Sequence, residues 1–170
     1  MSDLYVVVLD GSQPDDSVFT YARDFARETA PDMTHPVSSI RDMVMTLHGR
    51  CSRGDRISTL RIEAHGAPAA QRIGRDWLTV RSLPQHAADL RSLHSLFTPR
   101  HRPHVVLAGC RVGETDELVR ALSMVWPGVS VIAAMMRQAT VLMGVDGPYR
   151  VCLRSVCGVG ENPPDPWSLK

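Results

Sequence analysis

The apolar residues fall into two kinds of run. Leu4 to Leu9 reads Leu-Tyr-Val-Val-Val-Leu without alternation, and an unbroken apolar run belongs to a strand covered on both faces, as at the centre of a parallel sheet. His104 to Gly109 and Val129 to Ala134 repeat that pattern. Ile57 to Ala64 alternates instead, with Leu60, Ile62 and Ala64 on one face and Thr59, Arg61 and Glu63 on the other. Between these runs the period becomes helical. Val18, Ala22, Phe25 and Ala26 form one stripe behind a cap at Asp16 or Ser17. Ile40, Met43, Val44 and Leu47 form a second behind Ser39, with Asp42 three residues on as in a capping box. Ser82 and Pro84 open a third helix with Leu83, Ala87, Leu90 and Phe97 on its apolar face. A fourth starts at Glu114 or Thr115, buries Leu118, Ala121, Leu122 and Val125, and stops at Pro127-Gly128.

Shorter pieces complete the pattern. Met33 to Ser38 suits an edge strand, because Pro36 cannot donate to a central ladder. Gln71-Arg72-Ile73 against Trp77-Leu78-Thr79-Val80 makes a small hairpin around Gly74. Asp146-Gly147-Pro148 reads as the turn between two antiparallel strands, Ala139 to Val145 and Tyr149 to Val156. Strand and helix alternate, so the expected fold is α/β: a three-layer α/β/α sandwich with a mainly parallel sheet. An antiparallel hairpin follows near the C-terminus, and right-handed crossovers put helices on both faces. Residues 1–170 form one domain, with an extended tail from about 160 to 170; no internal repeat or linker interrupts it.

Composition narrows the function classes. The net charge is +1 with acids and bases interspersed, and Lys170 is the single lysine; neither a nucleic-acid nor a membrane surface is indicated. No apolar run approaches the length of a membrane span. Met1-Ser2-Asp3 leads straight into a strand with no signal-type apolar core, so a cytoplasmic location is expected. The spacing of Cys51, Cys110, Cys152 and Cys157 suggests no disulfide framework. Cys152 and Cys157 read as two small apolar residues of a late strand, since the second half of a metal site is missing. No cofactor and no metal is expected.

Two strand ends carry chemistry. Ile62-Glu63-Ala64-His65-Gly66 ends on an imidazole followed by glycine, and Val105-Val106-Leu107-Ala108-Gly109-Cys110 ends on a thiol preceded by one. In a parallel sheet, functional groups gather at the carboxyl ends of strands. If these strands are neighbours, His65 and Cys110 face one crevice. A thiol is nucleophilic only as thiolate; His65 can take its proton, and a helix beginning near Glu114 adds partial positive charge. The N–H groups of Gly66 and Cys110 are candidate oxyanion donors, and Gly109 and Gly113 let the loop turn sharply. Asp10, Ala64, Gly109, Arg111 and Trp77 are candidate cleft residues.

The His-Gly and Gly-Cys strand ends resemble the caspase-like fold of clan CD cysteine peptidases, which includes caspases, metacaspases and bacterial CHAT-domain proteins. His65 precedes Cys110 by 45 positions, against roughly fifty between the corresponding residues of caspases. The layout is also similar to a bacterial caspase-like domain found near the start of large surface adhesins, in which a first strand ends in Asp, as at Asp10. The resemblance runs from about Leu4 to Ala134. It implies a cysteine endopeptidase in which Cys110 is the nucleophile, His65 the base and acid, and a peptide or protein the substrate. Ala108-Gly109 stands where caspases have Gln-Ala, and Val112 interrupts the residues that follow. Two other readings stand beside it. One is a catalytically inactive caspase-like module that binds a protein in the same crevice. The other is a nucleotide- or phosphate-binding doubly wound domain using the Asp10-Gly11 turn, although no glycine-rich phosphate loop follows the first strand. Arg100, His101, Arg102 and His104 form a basic loop, read as solvated.

Overall fold

The computed structural model describes residues 2–12, 14–15, 20, 23–24, 31–51, 54–135 and 148–160. The stripe expected from Val18 to Ala26, the strand expected from Ala139 to Val145 and the expected tail lie outside them, wholly or in large part. The chain folds as a three-layer α/β sandwich with a mainly parallel central sheet. In chain order the elements are β1 (Asp3–Asp10), β2 (Met33–Val37), α1 (Ile40–Arg50), β3 (Arg56–Glu63), β4 (Gly66–Ala67), β5 (Ala70–Ile73) and β6 (Asp76–Leu78). Then follow α2 (Leu83–Ser92), a 3-10 turn at Leu93–Leu96, β7 (His104–Leu107), α3 (Glu117–Val125), β8 (Ser130–Ala134), β9 (Tyr149–Leu153) and β10 (Val156–Gly160).

The main sheet has the order β10-β9-β8-β7-β3-β1-β2; β4, β5 and β6 make a separate small sheet. Strands β2, β1, β3, β7 and β8 run parallel, and β9 and β10 are antiparallel additions. The chain leaves β1 toward β2 on one side and places β3, β7 and β8 on the other. The order therefore reverses at β1, and the crevice between the carboxyl ends of β1 and β3 is the topological switch point.

Alternation along the strands sorts the core into two faces. Val6, Val8, Leu60, Ile62, Val105 and Leu107 pack with residues of α1, α2 and α3. All three described helices thus share one face. Val7, Leu9, Val106 and Ile132, on the other face, are buried as well. That second face also holds the buried ion pair between Arg61 and Glu63. Burial opposes the charge on Arg61, yet Glu63, Tyr5 and Tyr149 hold its pKa above the ordinary value. Trp126, fully buried at the end of α3, donates from Nε1 to Leu90 O at 2.6 Å and meets Phe97 edge-on, with 6.0 Å between ring centroids.

Several local expectations need correction. Phe97 lies beyond α2, after the 3-10 turn, and not on its face. The fourth expected helix, α3, begins at Glu117 and not at Glu114 or Thr115. The antiparallel hairpin turns at Arg154 and Ser155, both with positive φ, so Tyr149 to Val156 is not one strand. Cys152 and Cys157 face each other across that hairpin and form a disulfide, where the spacing had suggested none. Among the described residues no helix is long and apolar enough to cross a membrane.

Candidate functional site

The β3–β7 ladder fixes how the two strand ends meet. Its parallel register runs from Thr59 opposite His104 to Ile62 opposite Leu107, a constant offset of 45 positions, and Ala108 N donates to Ile62 O at 3.0 Å. His65 and Cys110 are separated by the same 45 positions. The ladder ends at Ile62 and Leu107, and His65 and Cys110 each follow three residues later, at the carboxyl ends of neighbouring strands. Both are half-buried, above the buried Ala64 and Gly109.

Gly66 makes the approach closer than a side chain would allow. A methyl group added there would lie 2.6 Å from the Gly109 carbonyl carbon, 2.7 Å from the Cys110 nitrogen and 2.6 Å from Val112 Cγ2. Gly66 is therefore packed against the peptide that joins Gly109 to Cys110. The β4–β5 ladder orients it further. His65 O accepts from Arg72 N at 2.9 Å, and successive strand residues point their N–H groups to opposite sides. The Gly66 N–H consequently faces away from β5.

Cys110 begins a run of turns. Arg111 has φ 61°, a left-handed conformation uncommon for a residue other than glycine. Gly113 N donates to Ala134 O at 2.8 Å, and a methyl at Gly113 would sit 2.5 Å from Ala133 O. From β9, Arg150 donates through Nε to Gly113 O at 2.7 Å and through Nη2 to Glu114 O at 3.3 Å. Arg111 pairs with Glu114, its Nη2 2.9 Å from Oε1. Their hydrogen bond holds the Glu114 carboxyl below its ordinary pKa and Arg111 above its own. Because α3 begins seven residues after Cys110, the thiol lies outside the first turn of that helix, where its amino end acts on its own residues.

The other expected cleft residues divide. Asp10 ends β1 at the switch point. Its Oδ1 accepts from Ser12 N at 3.0 Å and Ser12 Oγ at 2.6 Å, and its Oδ2 lies 3.3 Å from Arg72 Nε. Arg72 also donates through Nε to Gly74 O and through Nη2 to Ser12 Oγ. Since Arg72 N binds His65 O, the Asp10 cluster and the His65 turn are joined through one residue. Trp77 pairs with Arg72 across β5 and β6 and is 43% exposed. Arg111 is engaged with Glu114.

The sequence pattern missed three residues that shape this region. Gln71 and Arg72 follow the histidine in a polar stretch that signals only a hairpin; Arg150 has no local signal at all. Among the described residues no group of three His, Cys, Asp or Glu side chains is placed to hold a metal ion. A cavity of about 470 Å³ lies at the opposite, amino ends of the strands, lined by Arg56, His94, Phe97 and His101 among others. Of the basic loop only His101 lines this cavity; Arg100, His101 and Arg102 are exposed, as expected of a solvated loop.

Neither a curated protein nor a solved structure matches the chain. A family model does match it, over residues 15–144, a stretch that contains both strand ends and the hairpin between them. The chain belongs to that family, the domain of unknown function DUF4347.

Proposed function

We propose that the chain is a caspase-like cysteine endopeptidase domain, of the clan CD type, acting on a peptide or protein. In this reading Cys110 Sγ gives its proton to His65 and attacks the scissile carbonyl carbon. The oxyanion that forms is met by the N–H groups of Gly66 and Cys110. His65 then passes the proton to the leaving amine, and the C–N bond breaks to leave an acyl-thioester. Water, deprotonated by His65, displaces the thiolate, releases the carboxylic acid and restores the dyad.

The observation that carries this reading is the close packing of Gly66 against the Gly109–Cys110 peptide, at the carboxyl ends of the neighbouring strands that lead to His65 and Cys110. Base, nucleophile and two backbone donors then share one strand-end crevice. A catalytically inactive module that binds a protein in the same crevice is the second reading. It is favoured by the start of α3 at Glu117, later than expected, which puts the helix end further along the chain from Cys110. The phosphate-binding reading is the weakest, because the Asp10 carboxylate and Arg72 pair with each other at the switch point and no glycine-rich phosphate loop follows β1.

Location follows sulfur chemistry. Disulfides persist in oxidising compartments. The expected cytoplasmic setting therefore requires that the Cys152–Cys157 bond be open there, and an extracytoplasmic setting lets it stand.

The test compares alkylation of the two thiols outside the disulfide, Cys110 and Cys51, by iodoacetamide and by a peptidyl ketone. Cys110 is expected to react at least about tenfold faster, a difference of about 1.4 kcal/mol. His65→Ala should remove the preference, and Cys110→Ala should abolish turnover of a peptide library. Equal labelling of both thiols with no turnover sinks the peptidase; partner binding retained in Cys110→Ala then supports the binding module.

A further inference from the structure

Gln71 is a polar residue with no exposed surface, placed where the hairpin packs under the two strand ends. A buried amide is costly unless its hydrogen-bonding groups are used, and each end of this one is used on a different turn. Oε1 accepts from the Gly109 N–H at 3.0 Å. Nε2 donates to His65 O at 3.3 Å and to Arg72 O at 3.0 Å. The orientation of the amide is dictated by its partners: a backbone N–H only donates, and a carbonyl only accepts. A reversed amide would face both with the wrong group. Gly109 also admits the oxygen closely, since a methyl there would lie 2.8 Å from Oε1.

We propose that Gln71 is a positioning residue, a brace that sets the His65 turn against the Cys110 turn so that imidazole and thiol meet in reacting geometry. This rests on the peptidase reading and extends it to a side chain that touches neither substrate nor the reacting atoms. By holding His65 O, the brace fixes the backbone that carries the imidazole. By holding the Gly109 N–H, it fixes the peptide plane that leads into Cys110, and with it the direction of the Cys110 N–H. An apolar residue of the same size would fill the space opposite Leu78 without joining the turns. It would leave the Gly109 N–H without this acceptor and His65 O with the Arg72 N–H in place of two donors.

The experiment follows the rate of Cys110 alkylation against pH in the full chain, with Cys51 as internal reference. In Gln71→Met, which keeps length but loses both bonds, the Cys110 rate is expected to fall at least about tenfold. Its pH profile should coincide with that of His65→Ala. Gln71→Asn, polar but too short to span both turns, should behave likewise. Gln71→Glu should recover part of the rate at low pH, where a protonated carboxyl accepts from Gly109 and donates to His65 O. A folded Gln71→Met or Gln71→Asn with wild-type rate and pH profile overturns the proposal. If no variant folds, hydrogen exchange of the wild type decides: a Gly109 amide and Gln71 side-chain amide that exchange together and slowly support the brace, and fast exchange of either overturns it. If His65→Ala leaves the Cys110 rate unchanged, the peptidase reading itself has failed. If His65→Ala abolishes the rate advantage while folded Gln71 variants keep it, only the brace has failed.

Discussion

At the scale of single residues, the site depends on what is missing from Gly66. Its hydrogen faces Gly109, Cys110 and Val112 at distances no Cβ tolerates. Two of these neighbours are backbone and cannot swing aside, so Gly66→Ala must push the loop from Gly109 to Gly113 outward. Overpacking of this kind typically costs about 1–3 kcal/mol. The urea midpoint should fall accordingly, and the Cys110 alkylation rate should fall with it; unchanged values of both would contradict the contact. His65, Gly66, Gly109 and Cys110 were legible as a set because each strand announces itself by its apolar run, and the glycines stand next to the reactive residues. Gln71 was not legible. Its importance comes from which face of the hairpin is buried, and nothing in a polar stretch such as Gln71-Arg72 distinguishes a brace from a solvated turn.

At the scale of elements, some boundaries were readable because their chemistry is local. Ser39 Oγ accepts from Asp42 N at 3.0 Å, the cap the sequence implies for the start of α1, while Asp42 Oδ2 reaches one residue further back than a capping box and accepts from Ser38 N at 2.8 Å. Those same bonds to Ser38 hold the Asp42 carboxyl below its ordinary pKa. The strand expected from Tyr149 to Val156 was misread for the complementary reason. It is broken by a turn at Arg154 and Ser155, both with positive φ, residues that give no turn signal. The disulfide went unseen with it, because only the correct register sets Cys152 opposite Cys157. The strand so placed carries Arg150, which holds two carbonyls of the Cys110 loop. Arg150→Ala should lower stability by about 1.5–3 kcal/mol, the range for hydrogen bonds to a charged group, and speed amide exchange from Gly113 to Asp116. Arg150→Lys should restore little, since an ammonium lacks the fork that reaches both carbonyls. Wild-type exchange in Arg150→Ala would show that β9 does not hold the loop.

For the molecule as a whole, the mainly parallel core was readable, because apolar runs alternate with helical stripes along the chain; the strand order was not. Which residues cover each face was not, since that depends on the direction in which each connection steps. The whole fold also carries a pH dependence. Burial, reinforced by Arg102, holds His104 below its ordinary pKa, and its Nδ1 is buried without a partner among the described residues. Burial, with Arg50, lowers His35 in the same sense. A histidine with a depressed folded pKa binds fewer protons when folded than when unfolded. Its contribution to stability is complete above about pH 6.5, the unfolded value, and is lost as pH falls through the folded one. Denaturant midpoints should therefore drop between pH 7 and pH 5, and His104→Gln should flatten that drop; an identical slope in the variant would exclude His104 as a source. The disulfide in the outer hairpin has a different consequence. Under the proposed chemistry the chain must keep its sulfur in two oxidation states at once: Cys152 and Cys157 joined, Cys110 as thiol. Too oxidising a medium converts a reactive thiolate to sulfenic acid and beyond. Too reducing a medium opens the hairpin, with a loss of about 2 kcal/mol for so short a loop, and slackens the strand that carries Arg150. The domain would then work only inside a band of ambient redox potential, bounded on one side by its nucleophile and on the other by its sheet edge.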